Sequence, residues 1–156
     1  MTEVEFPVDI LPYEGKALGT SEWTTINQGM IDDFARVSGD RNWIHVDLER
    51  ARRELPQGKT IAHGQLTLSL ITALGAQTLK IRRRGKGINY GLNKVRFVSP
   101  VLCDSRIRLH RSLEKAEPMH GAWRLTFSNV MEIEGEAKPA MVAESISMVY
   151  EEEADA

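Results

Sequence analysis

Cysteine is almost absent from this chain. A single one, Cys103, occurs in 156 residues, which excludes an internal disulfide framework and any Cys-x2-Cys metal motif. The four histidines are scattered with no His-x3-His spacing, so no metal site is expected. An excess of positive charge is missing too: 20 Lys and Arg stand against 22 Asp and Glu, a net charge of −2. That removes the electrostatic footprint that nucleic-acid binding needs, and no nucleic-acid partner is expected. No apolar run approaches the ~18 residues of a transmembrane helix, so no membrane span is expected. The start, MTEVEFPVDI, lacks the basic segment and apolar core of a secretory signal, which points to a cytoplasmic protein. Internal repeats and low-complexity linkers are absent as well. One domain over residues 1–150 is expected, followed by an acidic tail, EEEADA, at 151–156 with little to bury.

The patterning that remains divides the chain in two. A short strand is expected over Leu18 to Trp23, and Thr25 with Gln28 three residues later forms a capping-box pattern at the head of a helix. Met30, Ile31, Phe34 and Val37 supply its apolar face and Gly39 its left-handed stop. Asp40 to His45 reads as a loop, and Asp47 caps a second helix that Pro56 and Gly58 end. From Gly64 to about Leu79 the sequence is apolar on more than one face, with Thr67, Ser69 and Thr72 as small polar positions, the signature of a long buried helix. Beyond Gly87 the period changes to two. Strands are expected over Tyr90 to Ser99, Arg106 to Leu113, Trp123 to Ile133 and Met141 to Tyr150. Strands in succession after a helix indicate an α+β fold with an antiparallel sheet around one central helix. A chain of this size often leaves apolar surface for a second subunit.

Chemistry concentrates in Gly39-Asp40-Arg41-Asn42-Trp43-Ile44-His45. A carboxylate and an imidazole that share one water polarise it from two sides, one taking a proton and the other returning one. A turn Asp and a structural His explain the same spacing, so the pair by itself leaves both readings open. The second element is Thr60-Ile61-Ala62-His63-Gly64, at the start of the apolar helix. Exposed N–H groups there carry partial positive charge, and a glycine lets a substrate carbonyl come close to the backbone. A glycine chosen for helix packing is the plain alternative, and His63 reads as a structural histidine. The run Arg82-Arg83-Arg84 with Lys86 is most simply a solvated loop, with attraction of ligand phosphates as the functional alternative.

Three stretches in this order, FARVSGDRNWIH from Phe34, IAHGQLTLSLI from Ile61 and NYGLNKVRFVSPV from Asn89, resemble the MaoC-like dehydratase and (R)-specific enoyl-CoA hydratase family. The nodulation-protein-N-like branch fits best, and the resemblance runs from about Trp23 to Tyr150. It implies a hot-dog fold, an antiparallel sheet wrapped round a long central helix and paired into a homodimer. It also implies reversible hydration of trans-2-enoyl-CoA, or of the same acyl group on acyl carrier protein. On that resemblance Asp40 and His45 match the catalytic dyad, and Gly64 the glycine whose N–H binds the thioester oxygen. Asn42 supports the dyad loop, and Thr72 and Ser69 fall where a helix hydroxyl supports the catalytic carboxylate. The family pattern has proline after the Asn; here Trp43 takes that place, which makes it a candidate for shaping the acyl pocket. No cofactor is implied, coenzyme A being part of the substrate. Two rivals share the fold: an acyl-CoA thioesterase, and a non-catalytic subunit that only binds acyl thioesters.

Overall fold

The computed structural model describes residues 1–152; the tail from 153 onward lies outside the described residues. The chain opens with β1 (Thr2–Val4), a 3-10 segment (Pro7–Tyr13), β2 (Lys16–Thr20) and β3 (Thr24–Thr25). Helices α1 (Gln28–Ser38), α2 (Trp43–Val46), α3 (Leu48–Glu54), α4 (Gly64–Ser69) and α5 (Ile71–Gly75) follow, then β4 (Leu79–Ile81). Four long strands complete it: β5 (Gly87–Phe97), β6 (Arg106–Met119), β7 (Ala122–Ile133) and β8 (Met141–Tyr150). The main sheet is antiparallel in the order β2-β6-β7-β8-β5, with β3 also on β6, and a small parallel pair joins β1 to β4. The expected α+β class and antiparallel sheet are thus observed.

Strict alternation explains why one face of this sheet is covered. Ile107, Leu109 and Leu113 on β6, Leu125, Phe127 and Met131 on β7, and Met141, Ala143 and Val149 on β8 all point inward and are buried. Two separate blocks close over them. Leu66, Ile71 and Leu74 of α4 and α5, with Ile31 of α1, pack on the end formed by Ile107, Leu109, Met131 and Met141. Val4 of β1, Ile10 of the 3-10 segment, Leu18 of β2 and Ile81 of β4 pack on Leu113, Leu125, Phe127 and Val149. Burying each such aliphatic side chain contributes about 1.5–3 kcal/mol relative to exposure.

Several sequence expectations are corrected. Helix α1 is capped by Asn27, whose side chain accepts the Met30 N–H at 3.0 Å; Thr25 instead pairs with Arg106 in the sheet. Val37 is 75% exposed, because two residues beyond buried Ala35 is about 200° round a helix. Asp40 to His45 is not wholly loop, since Trp43–Val46 forms one helical turn. The long buried helix is two short ones meeting at Leu70, and it ends at Gly75 rather than near Leu79. Thr78 terminates it by donating both its N–H and its hydroxyl to the Gly75 carbonyl, at 3.0 and 2.8 Å, which frees Leu79 to pair with β1. Nor is this helix buried all round: Ser69, Thr72, Ala73 and Ala76 are exposed on its outer side.

Candidate active site

Gly39 adopts the left-handed conformation, φ 79°, that stops α1 and turns the chain sharply. The next residue, Asp40, is held on three sides. Its N–H donates to Ser38 Oγ at 3.2 Å, its Oδ1 accepts the Asn42 N–H at 3.2 Å, and its carbonyl accepts His63 Nε2–H at 2.9 Å. Asn42 in turn caps α2 by accepting the Ile44 N–H at 3.3 Å. These turn and cap bonds leave Asp40 Oδ2 aimed at His45 Nε2, 3.8 Å away. The carboxylate side chain is 56% exposed and the imidazole 10%, so one member meets solvent and the other is locked.

The lock on His45 determines its chemistry. Its Nδ1 lies 2.5 Å from the Ile61 carbonyl, which only accepts, so Nδ1 carries the hydrogen and neutral Nε2 presents a lone pair toward Asp40. Ile61 N–H returns a bond to the Ile44 carbonyl at 2.9 Å. The stretch around Ile61 is itself stapled to the chain before β6: Ala62 N–H to Val101 O, and Cys103 N–H to Thr60 O, both 2.8 Å. His63 stacks on His45 with ring centroids 3.7 Å apart and an interplanar angle of 23°. Its far side meets Phe34 at 5.0 Å.

A residue whose role was hidden in the sequence completes the support. Gln28 reads there as half of a capping box; in the fold its Nε2 donates to the His45 carbonyl and to Asp32 Oδ1, both at 2.8 Å. Its Oε1 accepts from Thr60 Oγ1 at 2.5 Å. Gln28 therefore ties α1 to both sides of the site. No local signal reveals this, because its partners lie 17 and 32 positions away.

Gly64 is the first residue of α4, directly after His63. Its N–H donates to no acceptor among the described residues, as expected for a first-turn amide. The ring of Phe97 lies so close that a Cβ on Gly64 would meet it at 2.9 Å. The remaining candidates stand elsewhere. Ser69 Oγ bonds back to the Leu66 carbonyl at 2.7 Å, and Thr72 Oγ1 accepts from Asn89 Nδ2 at 3.3 Å; neither hydroxyl bonds to Asp40. Trp43 lies beneath the Arg50 guanidinium, 3.8 Å from its ring centroid, and packs between α2 and α3. In the basic run, Arg82 pairs with Glu3 and Arg83 with Glu152. Burial pushes the Cys103 thiol up, away from the thiolate form a nucleophile needs.

Asp40, His45 and His63 each bring one ligand-type atom within 4.8 Å of the others, a grouping that sequence spacing did not anticipate. His63 Nε2 is engaged by the Asp40 carbonyl, while its Nδ1 is buried without a partner.

Asp40 and His45 thus face each other across 3.8 Å, and Gly64 opens α4 directly after His63, which stacks on His45. The MaoC-like domain model matches residues 10–129. The chain belongs to the MaoC-like dehydratase family. This MaoC-like dehydratase is 46% identical over 147 residues to 3-hydroxyacyl-thioester dehydratase Z of Mycobacterium tuberculosis, covering 94% of the chain and 97% of that protein. It is 46% identical over 138 residues to nodulation protein N of Rhizobium leguminosarum bv. viciae, covering 86% of the chain and 85% of the relative. Among solved structures, R-hydratase PhaJ1 of Pseudomonas aeruginosa superposes with a TM-score of 0.71 at 26% identity, covering 86% of this chain and 81% of that one. The hot-dog fold and the nodulation-protein-N-like branch follow from these likenesses.

Proposed function

We propose that this MaoC-like dehydratase adds water reversibly to trans-2-enoyl-CoA to give (3R)-3-hydroxyacyl-CoA. The observation that carries this reading is the 3.8 Å gap between two proton acceptors, Asp40 Oδ2 and His45 Nε2. A water donating one hydrogen to each at about 2.8 Å spans that gap with roughly a right angle at its oxygen, close to its natural geometry. In hydration the water oxygen bonds to C3 as one of its protons passes to the dyad. The C2–C3 π electrons shift toward the thioester, and the resulting enolate oxygen is stabilised by Gly64 N–H. The proton taken from the water returns to C2, so water adds across the double bond without any other donor. Asn42 and Gln28 hold the dyad in place, and Trp43 acts on the acyl end only through the position of α2.

The reading requires no metal or redox cofactor, coenzyme A entering only as part of the substrate. It is tested with crotonyl-CoA by following loss of enoyl-thioester absorbance and free thiol together, with chiral analysis of the product. Hydration to the (3R) product without thiol release is expected, at a rate unchanged by EDTA. Thiol release without hydration would make the chain a thioesterase, and a rate abolished by EDTA and restored by zinc would overturn the cofactor-free mechanism.

The working unit is a homodimer. Strand β5 is an eleven-residue sheet edge whose Ile88, Tyr90 and Leu92 are 45%, 64% and 49% exposed, beside the small-residue outer face of α4 and α5. A long apolar edge left unpaired is an aggregation hazard, and pairing it with a second copy about a two-fold axis removes the hazard. Sedimentation is expected to give twice the mass of the chain, with Tyr90→Lys shifting it toward monomer; a monomeric parent protein would overturn this. A cytoplasmic setting suits a chain whose lone cysteine is buried and free. Among the described residues no helix is long and apolar enough to cross a membrane.

A further inference from the structure

The inward face of the sheet carries one charged residue among its apolar positions. Arg111 stands on β6 between Leu109 and Leu113, both fully buried, at the seam between the two blocks that cover the sheet. Its Nε is sealed from solvent without a hydrogen-bond partner, and among the described residues no carboxylate bonds or pairs with its guanidinium. The contact that holds it is the face of Phe127, 3.8 Å from the ring centroid to Cζ. Space has been cleared for it: a Cβ on Gly75 would lie 2.2 Å from Nη1. Arg111 as a whole is half-buried, and taking a guanidinium partly out of water carries a desolvation cost that an opposite charge ordinarily offsets. Burial pushes its pKa down to about 10, which leaves it cationic at neutral pH.

The surroundings repeat the pattern. Asn129, opposite Arg111 on β7, is fully buried, and its Nδ2 donates to Phe127 O, Ala143 O and Ser145 Oγ at 3.2, 3.2 and 2.9 Å. Its Oδ1 has no partner. Arg111 borders two clefts that open between α4, α5 and β5. One of about 290 Å³ also has Leu68, Ser69, Thr72, Asn89 and Ser145 in its wall, and the other, of about 390 Å³, runs toward Arg84 and Lys80. Neither wall contains an Asp or Glu. In the smaller of the two, one forked cation, several neutral donors and apolar side chains form a receptor for a carboxylate on an apolar chain.

We propose that Arg111 anchors a carboxylate-binding subsite under α5, which takes the far end of an acyl thioester bearing a second carboxylate. The proposal rests on the hydratase reading for the position of the thioester at Gly64. Gly64 and Gly75 are eleven residues apart on α4 and α5, about 16 Å by helical rise, the length of a chain of roughly a dozen carbons. The preferred substrate is then the coenzyme A half-thioester of a dicarboxylic acid, bound by the Arg111 fork with Ser145 and Asn89 as further donors.

The test is calorimetric titration of the full chain with two saturated coenzyme A thioesters of matched length, one ending in carboxylate and one in methyl. The carboxylate-ended thioester is expected to bind at least about tenfold more tightly, a gap worth about 1.4 kcal/mol. Arg111→Met is expected to abolish the gap and Arg111→Lys to keep part of it, with circular dichroism verifying the fold of each. Equal binding of both thioesters to the parent protein overturns the subsite, whatever the variants do, as does a gap that survives Arg111→Met. A free dicarboxylic acid that binds through Arg111 while the two thioesters bind alike also overturns it, since the ligand would be an effector and not an acyl end. Saturated thioesters cannot be hydrated, so this outcome is independent of the crotonyl-CoA assay that decides the hydratase reading.

Discussion

Asp40→Asn lowers kcat for crotonyl-CoA hydration by about 10²- to 10⁴-fold, the range of a positioned acid-base group. The substitution keeps shape: an amide oxygen still accepts the Asn42 N–H that Asp40 Oδ1 accepts at 3.2 Å. The amide nitrogen then offers a donor where Asp40 Oδ2 was an acceptor, 3.8 Å from His45 Nε2. The water loses the carboxylate as its proton acceptor and keeps only His45. His45→Ala loses activity over the same range, but it also deletes the bond to Ile61 and empties a buried position, so its melting temperature falls while that of Asp40→Asn stays near the parent. Because both residues act on one water, the double variant falls little below the poorer single one. Steady-state kinetics with thermal melts check all three. Full kcat in Asp40→Asn would remove the dyad from the mechanism.

Gly64→Pro lowers kcat by about 10²- to 10³-fold relative to Gly64→Ala, the cost of one oxyanion donor. Position 64 is the first of α4, where proline suits the helix because its missing N–H is not needed there. His63 already has φ −60° and ψ 134°, the extended backbone a residue before proline requires. Both substitutions place a Cβ at 2.9 Å from the Phe97 ring, and Phe97, 49% exposed, shifts in both. The alanine variant therefore absorbs the steric cost, and the ratio of the two isolates the N–H. Equal kcat values would mean that the thioester oxygen lies elsewhere.

The parts of this protein written in short-range pattern were readable from the residues. Alternation along Trp123 to Ile133 and Met141 to Tyr150 gave two strands near their observed bounds, because the period of two is a local property of the pleat. Gly39 after an apolar helix, followed by Asp40, Asn42 and His45, gave the dyad loop for the same reason: turn and cap bonds reach only two or three residues. The length of the central helix was not readable. Thr78 ends it by bonding the Gly75 carbonyl, and Leu79–Ile81 is then drawn into a strand by Thr2–Val4, at the far end of the chain.

The chain's own residues determined the fold class and the loop that carries Asp40 and His45, since both follow from periodicity and neighbouring hydrogen bonds. The tertiary structure alone decided three things: that His45 presents Nε2, because Ile61 holds Nδ1; that Gln28 braces the site across 17 and 32 positions; and that Arg111, one basic residue among many in the sequence, has its Nε sealed from solvent without a hydrogen-bond partner. Each depends on contacts between segments distant in sequence, and such contacts leave no periodic trace in the chain that makes them.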